Sequence, residues 1–187
     1  GPITRFDASA FSSRIAGEIK DFDVTQWLNA KEARRFDTFI HYGLVAGIEA
    51  IKDSGIDLER VDLDMAGVCV GSGIGGLPLI EHTHDAMLAG GARKIGPFFI
   101  PGSIINMISG HVSIKFGFKG PNIAVVTACT TGLHAIGLSA RMSASGYCDV
   151  VVAGGAEATV SALGCGGFRA ARAPRTRTGR ARTGDPP

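Results

Sequence analysis

The sequence predicts an α/β fold in which helices cover a mostly parallel central sheet. Two short apolar runs, MAGVCVG (Met65–Gly71) and DVVVAGG (Asp149–Gly155), have the composition of buried strands, and NIAVVTA (Asn122–Ala128) is a third candidate. Helical patterns separate these runs. Strands that alternate with helices predict βαβ units, because parallel strands need crossover connections. The 187 residues suffice for one sizeable core or for part of a larger one.

The spacing of apolar residues predicts the first helix. Between about Lys31 and Asp53 they recur at three- and four-residue steps, and the pattern ends at Ser54-Gly55. The glycine-rich stretch GSGIGG (Gly71–Gly76) follows the first strand as a tight turn, and the next helix is predicted from about Leu77 to Leu88. Residues 1–30 show no clear pattern.

Proline and glycine residues separate the predicted elements in the second half of the chain. The stretch GPFFIPGS (Gly96–Ser103) predicts a loop, and Ser103 is placed to cap a helix that runs to about Phe116. A further helix is predicted from about Thr131 to Gly146, between the second and third strands.

The charge is unevenly distributed along the chain. Residues 169–187 hold six Arg and one Asp, whereas residues 1–168 hold 13 basic and 16 acidic groups. The tail has no large aliphatic or aromatic residue, so we predict a domain over 1–168 and a tail over 169–187 that is disordered or unlike the domain. An Arg-rich tail can bind nucleic acid, but no aromatic residues are interleaved with it, so no nucleic-acid partner is expected.

Composition indicates a cytoplasmic protein. Hydrophobic residues make up 45% and charged residues 19%, as in globular proteins. No apolar run reaches the ~18 residues of a membrane span. The N-terminus lacks a charged segment followed by an apolar one, so no signal peptide is expected. The absence of a Cys-x-x-Cys pair favours reduced thiols over a zinc site, and the four cysteines are Cys69, Cys129, Cys148 and Cys165.

One of these cysteines lies where a strand gives way to a helix. In VVTACTTGLHAIG (Val125–Gly137), Cys129 precedes a helical pattern. Unpaired N–H groups and the helix dipole favour a thiolate at such a position, and a strand–turn–helix exposes a nucleophile. The alternative is that the cysteine only packs in the core. The small neighbours Ala128, Thr130 and Gly132 favour the nucleophile.

Other motifs carry weaker signals. GSGIGG (Gly71–Gly76) has the glycine spacing of a dinucleotide-binding turn, but no acidic residue on a following strand and no Gly-Lys-Ser/Thr accompany it. Close backbone packing is therefore the favoured interpretation. His82 and His84 point apart on a helix, which is poor metal geometry. His134 is expected to lie past Cys129 rather than facing it, so packing or a surface role is favoured over a base.

Four segments together resemble the β-ketoacyl-acyl-carrier-protein synthases. They are GPNIAVVTACTTGLHAIG, VVVAGGAEA, GSGIGGLPLIE and RKIGPFFIPGSIINMISGHVSIKFG, and they look most like the type II elongating condensing enzymes of bacterial fatty-acid synthesis. The similarity extends from about Phe6 to about Ala173. It implies a thiolase-like fold of two similar halves and a homodimer. This chain would be the N-terminal half without its first strand.

The resemblance implies roles for individual residues. Cys129 resembles the nucleophile that accepts the acyl group from acyl carrier protein, with its own N–H as one oxyanion-hole donor. Residues that resemble the lining of the acyl pocket are Ile74, Phe99, Ala128, Gly164 and Phe168, with Phe99 entering from the partner subunit. Positions that resemble basic contacts to the carrier protein are Lys31, Arg34, Arg35, Arg93, Lys94 and Arg172.

The implied reaction is a decarboxylative condensation. The thiolate attacks an acyl thioester and releases the carrier protein; malonyl-carrier protein then loses CO₂ and its carbanion attacks the acyl-enzyme. The phosphopantetheine arm belongs to the substrate, so no metal or redox cofactor is expected. The family's two histidines, lysine and second oxyanion donor would follow residue 187, so the chain alone is expected to be an inactive fragment. The alternatives are a polyketide-type ketosynthase, a non-catalytic remnant and, more weakly, a cysteine hydrolase.

Overall fold

The computed structural model describes residues 1–171 and residue 173. They form two compact units: the sheet unit, Asp23–Ala158, and the terminal unit, which joins Gly1–Phe22 to the described residues from Thr159 onward. The sheet unit contains, in chain order, α1 (Ala30–Ala33), α2 (Thr38–Asp53), β1 (Ala66–Gly71), α3 (Leu77–Gly90), α4 (Phe99–Ser103), α5 (Met107–Phe116), β2 (Asn122–Ile123), α6 (Thr131–Ala144) and β3 (Val150–Gly155). The terminal unit contains α7 (Ala162–Ala170). Short 3-10 helices lie at Val24–Gln26, Leu63–Met65, Ala92–Lys94 and Ala128–Thr130.

The predicted parallel sheet is confirmed. Its strand order is β2-β1-β3, and both outer strands run parallel to β1, with Val68 opposite Asn122 on one side and Val152 on the other. Every residue of β1 is buried. Such a strand is apolar throughout because helices cover both of its faces.

The two faces of β1 meet different helices, because successive side chains of a strand point to opposite sides. Ala66, Val68 and Val70 share a core with α2 and α5, and the largest fully buried side chains of that core include Phe39 and Ile108. The opposite face meets α6. There, Cys69 contacts Ser139, and a side chain at Gly71 would collide with Thr131.

The strand predicted over residues 122–128 is only two residues long, so most of that prediction is wrong. A Cβ on Gly71 would lie 1.9 Å from the carbonyl oxygen of Val125, which shows how closely the departing chain crosses the end of β1. The buried Ser109 replaces part of the missing strand pairing. Its hydroxyl accepts from the N–H of Val70 at 2.9 Å and donates to the carbonyl of Ile123 at 2.7 Å.

The helix predicted from Lys31 begins at Thr38 instead. Asp37 marks this start, because its carboxylate accepts from the N–H of Phe39 at 3.1 Å and so caps α2. The separate helix α1 has its own capping box, in which Asn29 and Glu32 bond each other's backbone N–H groups.

The loop predicted over residues 96–103 is also partly wrong, since Phe99–Ser103 forms α4. Ser103 does not cap the following helix. Its hydroxyl donates to the carbonyl of Ile100 at 3.2 Å, and α5 begins only at Met107, after Asn106. The other predicted elements, β1, α3, α6 and β3, are present close to their predicted bounds.

Asp37 also links three helices of the sheet unit. Besides capping α2, its carboxylate accepts from the N–H of Leu79 in α3 at 2.7 Å, and its own N–H donates to the carbonyl of Gly102 in α4 at 3.1 Å. Burial raises the pKa of this carboxyl, although its backbone N–H donors act in the opposite direction. The starts of α2 and α3 and the end of α4 are therefore held together by one residue.

The terminal unit is built around α7. Ser161 caps this helix by accepting from the N–H of Gly164 at 3.1 Å, and Arg169 donates from Nε to the hydroxyl of Ser12. Most of the predicted tail, residues 169–187, lies outside the described residues. None of the helices in residues 1–171 combines the length and hydrophobicity that crossing a bilayer requires.

Candidate active site

Cys129 lies in the 3-10 turn Ala128–Thr130, directly before the first turn of α6. Its thiol is exposed, whereas Cys69 and Cys148 are buried. Burial raises the pKa of the Cys69 thiol, which disfavours its reactive thiolate. Packing in the core does not account for Cys129, and its position leaves the sulfur open to a substrate.

The turn that carries Cys129 is strained. Ala128 has a φ of +54°, in the left-handed region that costs a residue with a side chain about 1–3 kcal/mol. Hydrogen bonds on both sides hold it: the N–H of Thr127 donates to Oγ1 of Thr131 at 2.9 Å, and the hydroxyl of Thr130 donates to the carbonyl of Thr127 at 2.7 Å. Strain held in this way fixes the direction in which the cysteine points.

His134 supports the same turn from α6. Its Nδ1 lies 2.8 Å from Oγ1 of Thr127 and 3.4 Å from Oγ1 of Thr130. The partners of this ring nitrogen are thus threonine hydroxyls. In this arrangement the imidazole orients the turn around Cys129.

Glycines let the start of α6 approach the ends of the strands. A Cβ on Gly155, the last residue of β3, would lie 3.2 Å from the N and Cα atoms of Gly132. Gly75 has a φ of +80° and Gly76 packs against Ser103, where a Cβ would lie 2.7 Å from the Cα atom. The predicted close backbone packing of the glycine-rich turn is confirmed, because side chains here would push the backbone segments apart.

A glutamate just after β3 binds the glycine-rich turn. Oε2 of Glu157 accepts from the N–H groups of Gly73 and Ile74, both at 2.9 Å, and Oε1 accepts from the hydroxyl of Ser72 at 3.1 Å. Gly73 in turn lies against the cysteine turn, since its Cβ position is 3.6 Å from the Cα atom of Ala128. Sequence reasoning assigned no role to Glu157, although it lies in the segment VVVAGGAEA, directly after the strand run VVVAGG.

The structure brings two of the predicted pocket residues into one neighbourhood. Ile74 follows Gly73, which packs on Ala128, and the Ile74 side chain is 42% exposed. Phe99 is the first residue of α4 and is partly buried. The other two predicted pocket residues are in α7 of the terminal unit. Gly164 is buried there and Phe168, one turn later, is 43% exposed.

The predicted basic contacts lie in two segments of the sheet unit, residues 31–35 and residues 93–98. The guanidinium of Arg35 lies over the ring of Phe98, 4.4 Å from its centroid, a cation–π contact between the two segments. The side chain of Lys94 lies across Gly90 at the end of α3. The remaining described members are Lys31 in α1, Arg34 at its end, and Arg93 in the 3-10 helix Ala92–Lys94. Arg172 lies outside the described residues.

Comparison with known proteins gives consistent matches. Residues 1–186 match the family described as "Beta-ketoacyl synthase, N-terminal domain". The chain is 53% identical over 175 residues to 3-oxoacyl-[acyl-carrier-protein] synthase 2 of Vibrio harveyi, a match that covers 94% of this chain and 42% of that protein. The chain thus spans about two fifths of the length of the curated relatives that it matches.

Solved structures have the same fold. A β-ketoacyl synthase from Burkholderia phymatum aligns with a TM-score of 0.78 and 25% identity, covering 91% of this chain and 43% of that one. A structure of a type II polyketide synthase acyl-carrier protein in complex with its ketosynthase aligns with a TM-score of 0.73 and 28% identity, covering 80% of this chain and 43% of that one.

Proposed function

Because the chain belongs to the β-ketoacyl synthase family through its N-terminal domain, we propose that it carries the acyl-accepting nucleophile of a 3-oxoacyl-acyl-carrier-protein synthase. The observation that supports this most directly is the exposed thiol of Cys129 at the start of α6, on a turn strained at Ala128. A nucleophile needs this combination of access and fixed direction.

In the proposed acyl transfer, Sγ of Cys129 attacks the carbonyl carbon of an acyl thioester. The new bond is Sγ–C(acyl), and the bond that breaks joins the acyl carbon to the phosphopantetheine sulfur. The carrier protein leaves as its thiol, which takes up the proton that the Cys129 thiol lost. The N–H of Cys129 is proposed to donate to the oxyanion at the start of α6.

In the following condensation, malonyl-carrier protein loses CO₂, and the carbanion attacks the acyl carbon. The thiolate of Cys129 then leaves, and 3-oxoacyl-carrier protein results. We assign to this chain only the acyl transfer, because the chain spans about two fifths of the relatives' length. The phosphopantetheine arm comes with the substrate.

The proposed acyl pocket is apolar and suits a fatty chain, since each buried CH₂ contributes ~0.8 kcal/mol. In the sheet unit it is lined by Ile74 and Ala128. In a homodimer, Phe99 is proposed to enter the pocket from the partner subunit. For Gly164 and Phe168, which lie in the terminal unit, a role in acyl binding stays a prediction from the family resemblance.

The proposed partner is an acidic acyl carrier protein, and the proposed location is the cytoplasm. A carrier protein would meet the basic residues of two segments, which the contact between Arg35 and Phe98 joins. The complex of a ketosynthase with its acyl-carrier protein among the structural relatives supports this partner. Residues 1–168 carry more acidic than basic groups overall. An acidic partner would therefore be steered to the places where the basic residues gather.

Fatty-acid synthesis is favoured over a polyketide pathway. The 53% identity to the Vibrio harveyi enzyme exceeds the 28% identity to the polyketide ketosynthase complex. A polyketide-type ketosynthase is the second candidate, because that complex shares the fold. The presence of Cys129 argues against an evolved non-catalytic partner subunit, in which the nucleophile would be replaced.

The test uses a chimera in which this chain replaces the corresponding segment of the Vibrio harveyi relative, called the Vibrio chimera below. With acyl- and malonyl-carrier protein we expect it to form 3-oxoacyl-carrier protein. Cys129→Ala should abolish the product, and the control Cys165→Ala should retain it. A folded Vibrio chimera without product, or a fully active Cys129→Ala variant, would overturn the proposal.

A further inference from the structure

We propose that Glu157 is a positioning residue that sets the spacing between the Gly73–Ile74 segment and the Cys129 turn, and thereby the acyl chains that the site accepts. The inference rests on the proposed function, in which Ile74 lines the acyl pocket. Glu157 itself touches no reacting atom. It would act through the backbone that it holds.

The carboxylate of Glu157 organises the glycine-rich turn over several consecutive residues. One oxygen accepts from the N–H groups of both Gly73 and Ile74, and the other accepts from the hydroxyl of Ser72. That hydroxyl in turn accepts from the N–H of Gly75 at 3.1 Å. Ser72 is 1% exposed, so the inner end of this network is buried. One side chain therefore fixes the path of residues 72–75.

The same part of the chain supports the nucleophile. The N–H of Ala156, next to Glu157, donates to the carbonyl of Gly71 at 3.0 Å, which holds the end of β3 to the end of β1. One residue earlier, Gly155 packs on Gly132 in the first turn of α6. The carboxylate thus projects from a segment that is fixed relative to the helix behind Cys129.

The Gly73–Ile74 segment lies directly beside the cysteine turn. The Cβ position of Gly73 is 3.6 Å from both the Cα atom and the carbonyl oxygen of Ala128, and 2.9 Å from the carboxylate of Glu157. Gly73 is thus enclosed between the carboxylate and the cysteine turn. A shift of this segment would change the space beside Cys129 and the position of the Ile74 side chain.

The donors around Glu157 explain why a carboxylate occupies this position. Two N–H groups and one hydroxyl point at it, and a carboxylate offers two oxygens that only accept. In Glu157→Gln, the amide oxygen can still accept from both N–H groups while the NH₂ group donates to Ser72, so part of the network survives. Glu157→Ala removes all of it.

The experiment measures acyl transfer in the Vibrio chimera from butyryl- and dodecanoyl-carrier protein. For Glu157→Ala we expect the ratio of kcat/KM for dodecanoyl to that for butyryl to fall about tenfold, as the loss of charge-assisted hydrogen bonds predicts. Glu157→Gln should give a smaller decrease. The matched control is Glu59→Ala, an exposed glutamate in the sheet unit, and it should keep the parent ratio.

A second readout follows hydrogen exchange at the N–H groups of Gly73 and Ile74. Exchange should accelerate in Glu157→Ala and, to a lesser extent, in Glu157→Gln.

A purely structural role would lower transfer of both acyl chains equally, so an unchanged ratio overturns the inference even if exchange accelerates. If Glu157→Ala does not fold, the ratio in Glu157→Gln decides in the same way. A parent chimera that forms no acyl-Cys129 overturns the proposed function and this inference with it; an acylated parent whose variants keep its ratio overturns this inference alone.

Discussion

Nδ1 of His134 lies 2.8 Å from Oγ1 of Thr127, so the second turn of α6 is joined to the residue that precedes the left-handed Ala128. The contact spans the cysteine turn from one side to the other. It helps to hold a backbone conformation that a residue with a side chain adopts only under constraint.

This contact predicts a coupled effect on acyl transfer. In the Vibrio chimera, His134→Ala and Thr127→Val should each slow acylation of Cys129, because either change removes the same hydrogen bond. The double variant should be little worse than the single variants, with a coupling energy of about 0.5–1.5 kcal/mol. Rate constants for all four proteins give this energy. Strictly additive effects would show that the two residues act independently.

The cysteines should differ in reactivity according to their exposure. In the folded Vibrio chimera at pH 7, we expect iodoacetamide to modify Cys129 first, because its thiol is exposed at the start of a helix. Cys69 and Cys148 are buried and should react last. Peptide mapping by mass spectrometry over time gives the order. Faster labelling of Cys148 or Cys165 in a folded sample would contradict the nucleophile assignment.

Two histidines predict how stability depends on pH. Burial lowers the pKa of both His41 and His111, opposed by the Ala33 carbonyl at His41 and by the Glu32 charge at His111. As the pH falls through the usual value of 6.5, the unfolded chain takes up protons that the folded state does not. The free energy of unfolding should therefore be lower at pH 5.5 than at pH 7.5.

Single variants test this account. His111→Phe preserves a ring that packs against Phe36, with 4.1 Å between the centroids, but cannot take up a proton. It should lose less stability than the parent chimera between pH 7.5 and pH 5.5. The control is His84→Gln, at a site whose side chain is 60% exposed. Denaturant unfolding at both pH values measures the difference, and equal losses in His111→Phe and the parent would refute the assignment.

The basic segment around Arg93 and Lys94 predicts a loss of activity that is confined to carrier-bound substrate. Together, Arg93→Glu and Lys94→Glu should raise KM several-fold for acyl-carrier protein, because electrostatic steering becomes repulsion, and the difference should shrink at high salt. A small pantetheine thioester should react as before. Lys52→Glu, an exposed charge on α2, is the control. Equal losses on both substrates would indicate misfolding instead.

The pattern of apolar residues within single segments predicted those helices and strands that depend mainly on their own residues. The runs that became β1 and β3 and the periodic stretch that became α6 needed only their own residues to be recognised. The errors arose where distant groups decide the outcome. Pro101 and Gly102 indicated a loop, yet Gly102 lies in α4 and packs so closely on Arg35 that a Cβ would be 2.5 Å from its carbonyl oxygen.

The same distinction holds for the site. Cys129 was identified because the strand–turn–helix pattern around it is contiguous in sequence. Glu157 was missed because its partners, Gly73 and Ile74, are 84 and 83 residues away along the chain. The short β2 likewise depends on Ser109, 14 residues before the carbonyl that it binds. Contacts of this kind appear only once the chain is folded.

The most direct test of the central claim is to locate the acyl group after the first half-reaction. The Vibrio chimera is incubated with decanoyl-carrier protein and without malonyl-carrier protein, then digested and mapped by mass spectrometry. We predict one decanoyl group on the peptide that contains Cys129, and none in the Cys129→Ala variant. A decanoyl group on another residue, or a folded Vibrio chimera that carries none, would contradict the assignment of Cys129 as the nucleophile.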